Sequence, residues 1–277
     1  MTREPISINE IRRLTTFIRD RFGVDYQNYA MSSFNRRISY VMDRNRIRDF
    51  NVLFQRMEEE EGFFQQFARD LTVNTTEMFR DPEMWVYLRE EILPKLIHRK
   101  TVRIWHAACS SGEEVYSMAI LLKEMGIAHR CKLFASDINE EVIQKAKLGL
   151  YSDKRMQVNA ENYQKIEGKK QLYDYCIPTS KEGYHRMDPA LLQDVNFFRL
   201  DLTTGEPFSR FDLVLCRNVM IYFNKDLQNQ VLELMLGSLG MGSFLVLGAK
   251  ETLRWSSVAN KFQEISREEK VFKRIKE

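Results

Sequence analysis

Apolar residues recur at helical spacing through the first quarter of the chain, first as Ile11, Leu14, Phe17 and Ile18, then as Phe34, Ile38, Val41 and Met42. Ser32 or Ser33 can cap the second of these helices. No strand pattern precedes Thr101, so residues 1–72 predict a small helical domain. Asp81-Pro82 signals a new helix start, with Asp as cap and Pro in the first turn, and Met84, Trp85, Leu88 and Ile92 form its buried stripe. Residues 73–100 thus read as a linker and first helix leading into the rest.

Beyond Thr101 the period changes. Apolar runs at 102–108, 131–136, 195–200, 211–216 and 242–248 alternate with helical stretches near 113–125, 139–147 and 225–239. Such alternation predicts an α/β domain over 101–277, with a parallel doubly wound sheet. Phe262 to Ser266 and Lys270 to Ile275 predict a terminal antiparallel hairpin joined by a polar turn. Sheets of the Rossmann-like methyltransferase class carry such a hairpin. A polar stretch at about 152–193 is too long for a simple connection and predicts an inserted small subdomain.

Composition narrows the classes. A chain that is 44% hydrophobic and 29% charged suits an ordinary globular protein, and no apolar run is long enough to cross a bilayer. The first ten residues lack an apolar signal core, so a cytoplasmic protein without membrane insertion is expected. Cys109, Cys131, Cys176 and Cys216 show no paired spacing, which predicts reduced thiols and no metal site. The net charge of +3 hides an asymmetry, since residues 1–57 hold eleven arginines against six acids. That excess suits an anionic partner or, equally, a solvated helical face.

Three segments bear on chemistry. Val102 to Glu114 runs from a strand through small residues into a helix, where a doubly wound fold brings backbone against a nucleotide, although only Gly112 of the usual glycine triplet is present. Asp137 stands at the tip of the next strand, 25 residues beyond Gly112, where a carboxylate can accept both ribose hydroxyls of an adenosine cofactor. Its alternative role is a helix cap. After the strand ending at Cys216 comes Arg217-Asn218-Val219, where methyltransferases of amino groups often carry an Asn-Pro-Pro-Tyr type sequence. That difference argues against an amine acceptor.

Asn74-Thr-Thr-Glu-Met-Phe-Arg80, Ala107-Ala-Cys-Ser-Ser-Gly-Glu-Glu114, Ala135-Ser-Asp137 and Cys216-Arg-Asn-Val-Met-Ile-Tyr-Phe223 occur in this order. Together they resemble the chemotaxis receptor methyltransferase (CheR) family over nearly the whole chain. The resemblance implies a class I S-adenosylmethionine methyltransferase sheet behind a small all-α domain. It implies that Asn74, Thr76, Arg80, Glu114, Asp137, Asp201, Leu202, Cys216 and Arg217 line the cofactor, with Tyr222 near the sulfonium. Asp201 stands where the family has Asn, and Val115 where Pro usually follows the paired glutamates.

The same resemblance implies a protein-glutamate O-methyltransferase acting on the cytoplasmic helices of methyl-accepting chemoreceptors, with S-adenosylhomocysteine as product; a monomer is expected, with the sequence leaving the oligomeric state open. A glutamate acceptor, with a reference pKa of about 4.3, is ionised at neutral pH and needs no general base. It does need a partner on leaving water, and Arg80 can give its carboxylate two parallel hydrogen bonds, with Tyr222 orienting the methyl end. Arg80 and Tyr222 are therefore the candidate catalytic pair. Arg37 and Arg44, seven residues apart on the predicted Ser33–Asn45 helix, share one face with Arg36 beside it, a candidate receptor-binding surface. The stretch 169–183 lacks a compact glycine turn, which suggests action without capture of a receptor tail peptide. Two other classes compete: a weakly catalytic cofactor-binding adaptor of a chemosensory array, disfavoured by intact Arg80, Asp137 and Tyr222, and a nucleic-acid methyltransferase. The chain has no basic-aromatic interleave, so nucleic acid is not an expected partner.

Overall fold

A computed structural model of the protein describes residues 6–24, 26–71 and 76–276. The chain divides into two compact units, one of residues 1–73 with 220–228, the other of 74–219 with 229–277.

The helical unit holds α1 (Ile8–Phe22), α2 (Met31–Arg44), α3 (Phe50–Glu59) and α4 (Phe63–Leu71). Helix α1 starts at a reciprocal cap in which the Ser7 hydroxyl accepts from the Glu10 N–H and the Glu10 carboxylate accepts from the Ser7 N–H. It ends at Gly23, whose φ of 70° suits the left-handed C-terminal turn. The stripes foreseen in the sequence meet in its core: Ile11, Leu14, Ile18, Ile38, Val41 and Met42 are buried with Leu53 and Phe67. The expected cap by Ser32 or Ser33 is corrected, because α2 begins earlier, with Ala30 at its N-cap and no side-chain cap bond, so both serines fall in its first turn. Residues 220–228 join this unit through an isolated bridge between Tyr29 and Phe223 and a bond from the Ala30 N–H to the Tyr222 carbonyl.

The second unit opens with α5 (Pro82–Tyr87), continuing through a π turn at Leu88–Ile92 into α6 (Leu93–Leu96). Then follow β1 (Val102–Ala107), α7 (Glu113–Glu124), β2 (Cys131–Asp137), α8 (Glu140–Leu148), β3 (Leu150–Ser152) and α9 (Asp153–Lys165). The chain continues as β4 (Cys176–Ile177), β5 (Tyr184–Met187), β6 (Val195–Arg199), β7 (Phe211–Cys216), α10 (Lys225–Ser238) and β8 (Leu239–Leu247). It closes with β9 (Phe262–Ser266) and β10 (Val271–Arg274).

The main sheet runs β6-β2-β1-β7-β8-β10-β9, parallel from β6 through β8, with β10 antiparallel to both β8 and β9. Its central strands are apolar on both faces, as a sheet covered by helices requires; every residue of β7 is buried. The polar stretch expected as an insertion forms α9 and a separate sheet ordered β3-β5-β4. Strand order reverses beside β1, so the crevice at the carboxyl ends of β1 and β7 is where such a sheet takes a ligand.

Candidate functional site

Register places the strand ends level. Ala107 pairs with Ser136 on one side and Cys216 on the other, and Cys216 pairs with Leu247. The chain leaves β1 through left-handed turns at Ala108 (φ 62°), Ser110 (φ 49°) and Gly112 (φ 89°). Only the last requires glycine by contact as well, since a Cβ there would lie 2.7 Å from the Ala146 Cβ. The weak glycine signal thus has a cause: alanine and serine hold strained conformations that glycine would accept freely. Hydrogen bonds enforce them, from the Cys109 N–H to the Ser136 carbonyl (2.8 Å) and from the Ser110 N–H to Asp137 Oδ2 (2.9 Å).

Asp137 is 8% exposed and accepts one backbone N–H on each oxygen, the second from Asn139 to Oδ1 at 3.0 Å. Two bonds leave acceptor capacity on a carboxylate for hydroxyl donors. Burial raises its pKa, opposed by the backbone N–H groups of Asn139, Ser110 and Ile138. The cap of α8 is Asn139, not Asp137. Beside β2, the Leu200 N–H donates to the Asp137 carbonyl. Asp201 then closes a turn by accepting from the Thr203 N–H and hydroxyl at 2.8 and 2.7 Å, both on Oδ1, while Leu202 is buried.

The Arg217 side chain, 3% exposed, donates to Glu114 Oε2 (3.1 Å), Asp81 Oδ2 (2.6 Å) and the Arg80 carbonyl (3.0 Å). His106, fully buried, bonds through Nδ1 to Glu114 Oε1 at 2.8 Å. Both Glu114 oxygens are therefore engaged. Burial acts to raise the Glu114 pKa, but His106 and Arg217 outweigh it and hold the group below its ordinary value. Asp81 holds the N-cap position of α5 with Pro82 in the first turn, as expected, but at φ 56° its side chain makes no cap bond, because its carboxylate pairs with Arg217. Cys216 is fully buried, and burial raises its thiol pKa well above the usual range, so it offers no nucleophile.

Arg80, half-buried, sits between left-handed Phe79 (φ 53°) and Asp81. Its approach is anchored at two successive peptides. The Met78 N–H donates to Asn159 Oδ1 (2.9 Å), the Phe79 N–H to the Ser117 hydroxyl (2.8 Å), and the Trp85 indole N–H to the Arg80 carbonyl (3.1 Å). Asn162 adds bonds to Glu77 Oε2 and the Met78 carbonyl, each 3.2 Å. Next to this, buried Glu113 accepts from Arg155 (2.9 Å) and the Ser111 hydroxyl (2.8 Å). Sequence reasoning missed His106, Glu113, Ser117, Arg155, Asn159 and Asn162. Of these, only His106 and Glu113 lie inside or beside the ordered motifs.

The remaining expected residues fall elsewhere. Asn74 lies outside the described residues, and Thr76 is half-buried. Tyr222 belongs to the helical unit, as do the three arginines. Arg36 is exposed; Arg37 is half-buried, 5.9 Å from the Tyr40 ring centre, with a buried Nε that makes no hydrogen bond; Arg44 is paired with Asp70 at 2.8 Å.

A parallel sheet of this order closed by an antiparallel pair, with an acid ending its second strand, defines a Rossmann-like methyltransferase domain. Family models sharpen that class. The CheR methyltransferase SAM-binding domain matches residues 74–271, and the CheR methyltransferase all-alpha domain matches residues 9–72. The chain belongs to the CheR methyltransferase family. It is 38% identical over 274 residues to the Pseudomonas putida protein named Cher3, covering 99% of this chain and 100% of that one. It is 30% identical over 263 residues to a chemotaxis protein methyltransferase of Borreliella burgdorferi, covering 90% of each. A chemotaxis protein methyltransferase 1 of Pseudomonas aeruginosa is 30% identical over 240 residues, 82% of this chain and 83% of that one.

The residues at the strand ends fit S-adenosylmethionine. Asp137 supplies an acceptor for hydroxyls, and Ser110 Oγ, His106 Nε2 and Arg217 Nε are buried polar atoms with no protein partner.

Proposed function

We propose that this protein methylates glutamate side chains on the cytoplasmic helices of chemoreceptors, producing glutamyl methyl esters and S-adenosylhomocysteine. The observation that carries the reading is the joint match of both CheR domains, over 9–72 and 74–271. The site geometry supports it. S-adenosylmethionine, when bound, supplies an electrophilic methyl group, so the protein's work is to position donor and acceptor and to exclude water. Asp137 takes the ribose hydroxyls, with Asp201 and Leu202 bordering the adenine. Arg80 meets the acceptor carboxylate, and the bonds donated to Asn159 and Ser117 and received from Trp85 keep that segment from relaxing when it does. Tyr222 orients the methyl end by its place in the Cys216–Phe223 motif.

No base is required for an ionised glutamate. His106 is bonded through Nδ1 to Glu114. The exposed cations of α2, Arg36 foremost, favour a glutamate-rich helix through long-range attraction. Methylation removes a negative charge from that helix and shifts receptor signalling.

The test is transfer of radiolabelled methyl from S-adenosylmethionine to a chemoreceptor cytoplasmic fragment, against a fragment whose methylation-site glutamates are changed to alanine. Label on the first and none on the second is expected. Label on RNA or DNA instead would overturn the reading.

A further inference from the structure

The loop leaving the carboxyl end of β8 is fixed on both sides of an exposed tryptophan. The Glu251 carboxylate, in a residue 5% exposed, accepts from the N–H groups of Gly248 (2.6 Å), Asn218 (2.9 Å) and Val219 (3.0 Å). This ties the loop to the segment after β7. Leu253 and Val258 are buried, and the Ser256 N–H and hydroxyl both donate to the Leu253 carbonyl, at 3.0 and 2.8 Å. The Ser257 N–H donates to Asn229 Oδ1 (3.0 Å) and its hydroxyl to Glu233 Oε1 (2.8 Å). Between these anchors Trp255 is 84% exposed, whereas Trp85 and Trp105 are fully buried.

Single exposed apolar residues are ordinary on protein surfaces. Trp255 differs in three ways. Its backbone is held, so the ordering cost of a contact is already met. The loop that carries it starts at the carboxyl end of β8 and is tied there, through Glu251, to the segment that follows β7 and carries Arg217. In the same loop Lys250 and Arg254 are exposed cations, and Glu251, the one acid between 248 and 261, is buried against backbone N–H groups, while Glu233 of α10 is occupied by the Ser257 hydroxyl.

We propose that Lys250, Arg254 and Trp255 form a docking surface for the protein substrate, specifically for an acidic amphipathic helix beside the methylated position. The indole packs on the apolar stripe of that helix and the two cations face its carboxylates, with tryptophan and arginine as the anchors typical of such contacts. Charge complementarity selects this occupant over an apolar or basic one. The inference rests on the proposed carboxylate methylation of a helical protein.

The full chain carries its own reporter, because Trp255 alone of the three tryptophans is open to solvent. The probe is a chemoreceptor cytoplasmic fragment in its unmethylated form with any tryptophans replaced by phenylalanine. Saturating fragment should shift the emission to the blue and protect it from acrylamide. Trp255→Ala, and separately K250E with R254E, should each raise the KM for the fragment about tenfold or more, as loss of an interface anchor does. Calorimetric affinity for S-adenosylmethionine should stay unchanged, and Trp255→Phe should recover part of the KM. Normal KM in both variants with undiminished quenching would overturn the docking surface while leaving methyl transfer intact. A wild-type protein that methylates no receptor fragment would defeat the glutamate reading itself, and this inference with it.

Discussion

Arg217 and Glu114 meet at 3.1 Å across the ends of β7 and β1, and the same guanidinium holds Asp81 at 2.6 Å and the Arg80 carbonyl at 3.0 Å. One buried cation therefore ties three chain segments of the site together. Removing one partner of such a pair leaves uncompensated buried charge and costs about 3–5 kcal/mol. Arg217→Met should lower the thermal midpoint accordingly, and Arg217→Lys should recover only part, because an ammonium cannot reproduce the planar fork. A thermal scan checks both, and an unchanged midpoint in the Met variant would mean the brace is dispensable.

Asp137→Ala is expected to weaken S-adenosylmethionine binding by more than about tenfold, since each hydrogen bond to a charged acceptor contributes roughly 1.5–3 kcal/mol. The carboxylate also holds the Ser110 and Asn139 N–H groups, so Asp137→Asn is the cleaner companion variant. Calorimetry measures both. Wild-type affinity in the Ala variant would remove Asp137 from the cofactor site.

Arg80→Lys should lower turnover more than cofactor affinity, because a point charge lacks the two-point contact with a carboxylate. Steady-state kinetics at saturating cofactor, paired with equilibrium binding, separates the two. If affinity falls while turnover per bound cofactor holds, Arg80 is a cofactor ligand only.

Glu113 gives the site a pH dependence. Burial pushes its carboxyl up to about 7, against the Ser111 hydrogen bond and the Arg155 charge. The folded-state value exceeds that of an unfolded glutamate, about 4.3, so the native state binds the extra proton between them. Its contribution to stability is therefore fully present below the unfolded value and is lost as pH rises through about 7. Glu113→Gln should gain midpoint relative to wild type as pH rises over that window. Parallel stability curves would show that Glu113 does not titrate there.

Much of the frame was legible because burial leaves periodic traces: β7 reads as an unbroken apolar run and is buried at every residue, and the Ile11 to Ile18 stripe forms the helical core. The place of Asp137 at the end of β2 was legible from its distance to Gly112 along a strand-turn-helix pattern. The loop after β1 was only half legible, since Ala108 and Ser110 take left-handed conformations that composition does not advertise. Strands β3, β4 and β5 run only two to four residues, too short for an alternation to register. Asn159 and Asn162 look like surface residues of a polar helix until the backbone they bind is known. Asp81 next to Pro82 marks the start of α5 correctly, but the sequence does not show that its carboxylate is taken by buried Arg217 instead of the helix N–H groups. Likewise, the arginines of α2 read as one basic face, but Arg44 is committed to Asp70.

The proposed destination of the methyl group is a glutamate carboxylate, and the chemistry of the mark decides it. A chemoreceptor fragment labelled by this protein should release the label as methanol under mild base, and peptide mass spectrometry should place the methyl on glutamate side chains. A mark that survives base, or one placed on nitrogen or on nucleic acid, would contradict the claim.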